Sequence, residues 1–213
     1  MKKTKVLVTI LCAILLVTAT VLGTLAYLSS QEQVVNTFTV GKVKITLDET
    51  AVNTDGTAKP NAGRVKQNNY HLIPGQTYIK DPILTVKADS EDSYIRMLVT
   101  ITHASQFDTI FANKGLALTD IFGGYNATDW INTSTTRDTL SNTVTYEFRY
   151  KEIVAKSATD TELSALFQSI TIPGEFSSED MNAIAQDLKI TVIGQAIQTA
   201  GFADEDTAWA NFQ

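Results

Sequence analysis

The spacing of apolar and polar positions changes several times along the chain, and each change predicts an element. Between Lys5 and Glu32 no side chain is charged, and Val, Leu, Ile and Ala dominate. Residues 38–47 then alternate: Phe38 and Val40 share one parity, while Val43, Ile45 and Leu47 share the other. A strand whose facing slips by one residue at a glycine predicts a β-bulge at Gly41. Residues 48–69 are polar, with Gly56, Pro60, Gly63 and several Asn, and read as a long exposed loop.

Farther on, Pro74-Gly75 marks a turn, and residues 83–88 read as a strand behind Pro82. Residues 94–101 alternate, with Ile95, Met97, Val99 and Ile101 on one face, and the short acidic turn before them predicts a hairpin. Residues 105–124 read as irregular, with a helical turn near 107–113. A second hairpin is predicted from residues 130–135 and 143–150, whose return strand sets Val144, Tyr146, Phe148 and Tyr150 on one side. Residues 161–167 predict a short helix and 169–172 a short strand ended by Pro173-Gly174. Ser177 or Ser178 can cap a helix striped by Met181, Ile184, Ala185 and Leu188. Residues 189–200 read as a strand buried on both faces, and Asp204 or Asp206 opens a last helix carrying Ala208, Trp209 and Phe212. Many short strands with two or three short helices predict a mainly β fold, an antiparallel β-sandwich.

The leading apolar run follows a basic cluster, Lys2, Lys3 and Lys5, and ends in the small-residue site Thr24-Leu25-Ala26. A signal-peptide helix at residues 1–26 is expected, cleaved after Ala26 so that Tyr27 becomes the new N-terminus. The alternative is an uncleaved anchor, since about 20 apolar residues suffice to span a bilayer. Residues 27–213 then form a single domain.

The Lys-rich start, Gly23-Thr24-Leu25-Ala26-Tyr27-Leu28 and Asn36-Thr37-Phe38-Thr39-Val40-Gly41 resemble the SipW-type signal peptide and the mature start of TasA/camelysin proteins of Gram-positive bacteria. Ile73-Pro74-Gly75 with Lys80, Ser90-Glu91-Asp92-Ser93-Tyr94, Ile170-Thr171-Ile172-Pro173-Gly174 and Gly201-Phe202-Ala203 extend the resemblance along the chain. It implies a jelly-roll-like sandwich and a fibre-forming protein of the cell surface or biofilm matrix. It also implies that the mature N-terminus, residues 27–40, serves as a donor strand.

The residues of this segment fit that use. Val34, Val35, Phe38 and Val40 would each gain roughly 1.5–3 kcal/mol on full burial, before ordering costs. Such a segment can complete its own sheet or that of a neighbouring copy, and a head-to-tail contact that does not close on itself yields a filament. The Gly41 bulge would separate the donated part from the strand kept at home.

Composition narrows the chemistry. Net charge is −6 overall, and near −9 once the three leader lysines are removed, which disfavours nucleic acid and anionic lipid as partners. Contact with the membrane is expected only through the leader. The sole cysteine, Cys12, lies in the leader, so the mature chain has no disulfides, thiol nucleophiles or Cys-ligated zinc. Camelysin-like proteins have been described as metallopeptidases, yet His71 and His103 lie about 30 positions apart without an H-E-x-x-H. No catalytic residue, metal ligand or cofactor is assigned. The acidic turn at residues 89–92 lacks the spacing of a calcium loop. Asn126-Ala127-Thr128 and Asn132-Thr133-Ser134 match glycosylation sequons that are idle in a bacterium, and Tyr125, Trp130 and Tyr146 read as core and rim aromatics rather than a sugar platform.

The expected protein is secreted and non-catalytic. Its partners are further copies of itself, a signal peptidase during export and other matrix components. Two alternatives are a camelysin-type secreted metallopeptidase and a monomeric surface adhesin or glycan-binding sandwich.

Overall fold

The computed structural model describes residues 42–184 and 188–212. The expected leader, the expected cleavage site at Thr24, Ala26 and Tyr27, the expected donor residues Val34, Val35, Phe38 and Val40, and Gly41 with its predicted bulge all lie outside the described residues. Among the described residues the chain is mainly β, with strands in three antiparallel sheets and three short α-helices.

The strand pattern follows directly from side-chain parity. In β5 (Ser93–Thr102) every second residue is buried, and Ile95, Met97, Val99 and Ile101 are each 0% exposed. In β8 (Thr143–Tyr150) Val144, Tyr146 and Phe148 do the same. β5 and β8 pair along their lengths, with β11 (Ile190–Gln198) on the far side of β5 and β7 (Trp130–Asp138) on the far side of β8. The order of this large sheet is therefore β11-β5-β8-β7. β7 buries Trp130 alone, as befits an edge, and carries a bulge between Asn132 and Ser134.

Two smaller sheets complete the core. One has the order β2-β1-β4-β9, from β1 (Ile45–Thr50), β2 (Arg64–Val65), β4 (Ile83–Val86) and β9 (Thr161–Glu162). The other has the order β3-β10-β6, from β3 (Thr77–Ile79), β6 (Phe122–Gly123) and β10 (Ser169–Thr171). Leu84 and Val86 of β4, Tyr78 of β3 and Ile170 of β10 share one apolar cluster with the inner faces of β5 and β8.

Several expectations are corrected. β4 and β5 do not form a hairpin, because they belong to different sheets and the acidic turn carries the chain across the core. Asp89 takes the left-handed conformation there (φ 60°), and buried Ser90 clips the turn to β1, its Oγ accepting from the Lys44 N–H at 3.1 Å. Residues 161–167 hold β9 and extended chain rather than a helix. The stretch at 105–124 contains a full helix, α1 (Ala104–Lys114), burying Ala104, Phe107, Ile110 and Phe111 and closed by Gly115 at φ 68°.

Residues 48–69 are largely exposed, yet they are held at both ends. β1 runs on to Thr50, Ala51 and Val52 are buried, and β2 returns to pair with Glu49 and Thr50. The last two helices follow their predicted starts: α2 (Ser178–Ile184), where the Ser177 hydroxyl accepts from the Asp180 N–H, and α3 (Glu205–Ala210), capped by Asp204.

Candidate functional site: the β11 edge and the cleft beside β1

β11 is nine residues long, and among the described residues it pairs only with β5. Its residues lean toward the core without being enclosed: Ile190, Val192 and Ala196 are partly buried against the apolar cluster, while Ile193 stays 47% exposed. Full burial on both faces is thus not what the strand shows, because no further strand covers its outer edge among the described residues. Gly194 lets β11 approach the facing sheet closely, since a Cβ there would stand 2.7 Å from Leu84 Cδ1 and 3.7 Å from Leu47 Cβ. Toward the start of β11 this seam widens into a cleft of about 660 Å³, lined in part by Leu47, Glu49, Tyr70, Lys80, Leu188 and Val192.

The wall of this cleft is polar and well ordered. Lys80 Nζ donates to Glu49 Oε2 at 2.7 Å, and both side chains are less than one-tenth exposed. Asn68 Nδ2 donates to Glu49 Oε1 at 2.9 Å and to the Thr50 carbonyl at 2.8 Å, and its Oδ1 accepts from the Val52 N–H at 3.0 Å. Tyr70 closes one side, its ring edge-on to Tyr78 with centroids 5.8 Å apart. Burial, and then the charge of Glu49, push the Tyr70 hydroxyl well above its ordinary range, so it stays protonated and donates to the Ile79 carbonyl at 3.0 Å.

Nearby, Arg64 reaches both Asp48 and Asp81. Burial opposes ionisation of Asp81, but the Thr50 N–H and hydroxyl at 2.7 Å each, together with Arg64, outweigh it and hold the carboxyl below its ordinary value.

Spacing along the chain does not show that Glu49, Asn68 and Lys80 meet. One signal was present: Glu49 continues the parity of Val43, Ile45 and Leu47, which places a carboxylate on an inward-facing position. Lys80 likewise shares the parity of buried Tyr78.

The other candidate residues are scattered. His103 takes a left-handed conformation before α1 and its Nδ1 is bonded to Thr102 Oγ1, whereas His71 is exposed on the segment before β3. Among the described residues no three of His, Cys, Asp or Glu cluster as metal ligands. In the acidic turn, Glu91 pairs with Lys156 Nζ at 2.8 Å, and Asp92 accepts from the Lys156 N–H at 2.7 Å. Trp130 is 1% exposed and Tyr146 6% exposed, so with Tyr125 they do not form an open stacking platform. Asn126 and Asn132 spend their side chains on local backbone, Asn126 on the N–H groups of Thr128 and Asp129 and Asn132 on the carbonyls of Ser134 and Glu147.

Residues 1–81 match the family described as camelysin metallo-endopeptidase. Over that N-terminal span the chain is similar to the camelysin family. The match takes in residues 1–41, β1, β2 and β3, and it ends one residue after Lys80. Comparison with curated proteins found no match, and neither did comparison with solved structures. The peptidase named in the family's description implies a metal, and the described residues of this camelysin relative do not supply a ligand set for one. No helix among them is long and apolar enough to cross a membrane.

Proposed function

We propose that this chain is a secreted structural protein of the cell surface or biofilm matrix. It would polymerise when the N-terminal strand of one copy joins a sheet of the next. The observation that carries this reading is β11, nine residues paired on one side among the described residues and flanked by a partly apolar seam. Val34, Phe38 and Val40 fall on one parity of the N-terminal segment, so an added strand would turn three apolar side chains toward Leu188, Ile190 and Val192. Main-chain hydrogen bonds along the edge would give affinity, and those alternate side chains register. The likeness of residues 1–81 to the camelysin family supports export and surface location.

The test compares the protein beginning at Tyr27 with a version beginning at Val43. Electron microscopy is expected to find fibres only in the first, and fibres of equal number from both remove the donor role.

The description of the family supports a second reading, a secreted metallopeptidase. Metal analysis of the exported protein, with a casein assay run beside a chelator, separates the two. Chelator-sensitive cleavage would establish the peptidase.

A further inference from the structure

We propose that Lys80 and Asn68 are joined by an intramolecular isopeptide bond whose formation is promoted by Glu49. The inference is independent of the assembly reading and rests on how three side chains from separate segments converge. Glu49 comes from β1, Asn68 from the chain after β2, and Lys80 from the residue after β3. One carboxylate bridges both nitrogens: Oε2 receives Lys80 Nζ at 2.7 Å and Oε1 receives Asn68 Nδ2 at 2.9 Å. Both charged side chains are more than nine-tenths buried.

The amine, the amide and the carboxylate that bridges them are the groups that amide exchange needs. Transfer of one proton from Lys80 Nζ to Glu49 Oε2 leaves a neutral amine and a neutral acid, a change favoured where charge is poorly solvated. The amine lone pair then attacks Asn68 Cγ, and the new C–N bond displaces the carbonyl π pair onto Oδ1. The Val52 N–H already points at that oxygen from 3.0 Å and stabilises the charge that develops there. Glu49 passes its proton to Nδ2, which it already touches, and takes one from the attacking nitrogen. The old C–N bond breaks and ammonia leaves, carrying the acid's proton away as ammonium, so Glu49 ends as a carboxylate. An ammonium and a primary amide have become a secondary amide and an ammonium ion. No oxidant, metal or cofactor takes part.

The surroundings suit the reaction. Tyr70 lines the site and is itself backed by the Tyr78 ring, and Asn68 is pinned by Val52 and Thr50 so that its amide cannot turn away. A buried ion pair left as such gives little net stability, because desolvating two charges offsets their attraction. The bond would remove the cation and staple an exported chain whose only cysteine lies in the leader.

Mass spectrometry of the full secreted chain, with its N-terminus sequenced, tests this. The expected intact mass is lower than the sequence requires by one ammonia. Trypsin is expected to leave residues 67–87 as one internally closed peptide, since an acylated Lys80 is not cut. Lys80→Arg keeps the pairing with Glu49 and cannot form the bond, and it is expected to show the full mass while remaining folded by circular dichroism. Glu49→Gln is expected to show the full mass as well. Full mass in the unaltered protein, with separate peptides 67–80 and 81–87, overturns the proposal. Loss of ammonia that persists in Lys80→Arg overturns it equally.

Discussion

At the scale of single residues, two positions hold the β1–β3 region in shape, and both lead to measurable consequences. Gly56 is buried with φ 81°, and a Cβ there would lie 2.6 Å from Tyr78 Cα. The obstacle is backbone, so it cannot swing aside, and the left-handed conformation is strained for any other residue. Gly56→Ala is therefore expected to cost roughly 2–4 kcal/mol, read from the urea midpoint. Asp81 gives a pH signature. Its folded carboxyl sits below the ordinary value of 3.8 because Thr50 and Arg64 outweigh burial. A folded value below the unfolded one adds stability that is complete above the unfolded value and lost as pH falls through the folded one. The gap in urea midpoint between the unaltered protein and Asp81→Asn is expected to be full at about pH 6 and to narrow below about pH 4. A gap that widens on acidification would contradict this account of Asp81.

At the scale of elements, the strands and their faces were largely legible and their partners were not. The predicted return strand at residues 143–150 coincides with β8, because its alternation is unbroken and both ends are polar. The helix α1 is legible only as a turn near 107–113 because His103, at its start, is not a capping residue, although Phe107, Ile110 and Phe111 give the stripe and Gly115 the stop. β11 was legible as a strand, whereas its one-sided pairing was not, since both parities carry apolar residues. This edge carries the next prediction. Ile193 is 47% exposed, so Ile193→Lys is expected to change monomer stability by no more than about 0.5 kcal/mol. It is expected to abolish fibre growth, because a lysine on an open edge opposes strand addition. Normal fibres from that variant would place the acceptor elsewhere.

At the scale of the whole molecule, one apolar cluster among the described residues links all three sheets. The version beginning at Val43 is therefore expected to fold, unfolding in a single cooperative transition by calorimetry, even though it forms no fibres. A molten or aggregated truncation would mean that the preceding segment is part of the monomer's own core. Around the cleft, Glu49, Asn68 and Lys80 span 31 positions and three segments of chain, and they touch only because β1, β2 and β3 bring them together.

The sequence by itself determined the mainly β class, the parity of β5 and β8, the starts of α2 and α3 and the absence of cysteine after Cys12. These are local matters, set by side-chain period, capping chemistry and composition. Only the tertiary structure decided that the chain crosses between sheets after β4, that β11 stands at an edge among the described residues, and that a buried carboxylate bridges a lysine and an asparagine. Backbone hydrogen bonds are the same for every residue, so a periodic pattern says which side of a strand faces inward and leaves open which strand lies beside it.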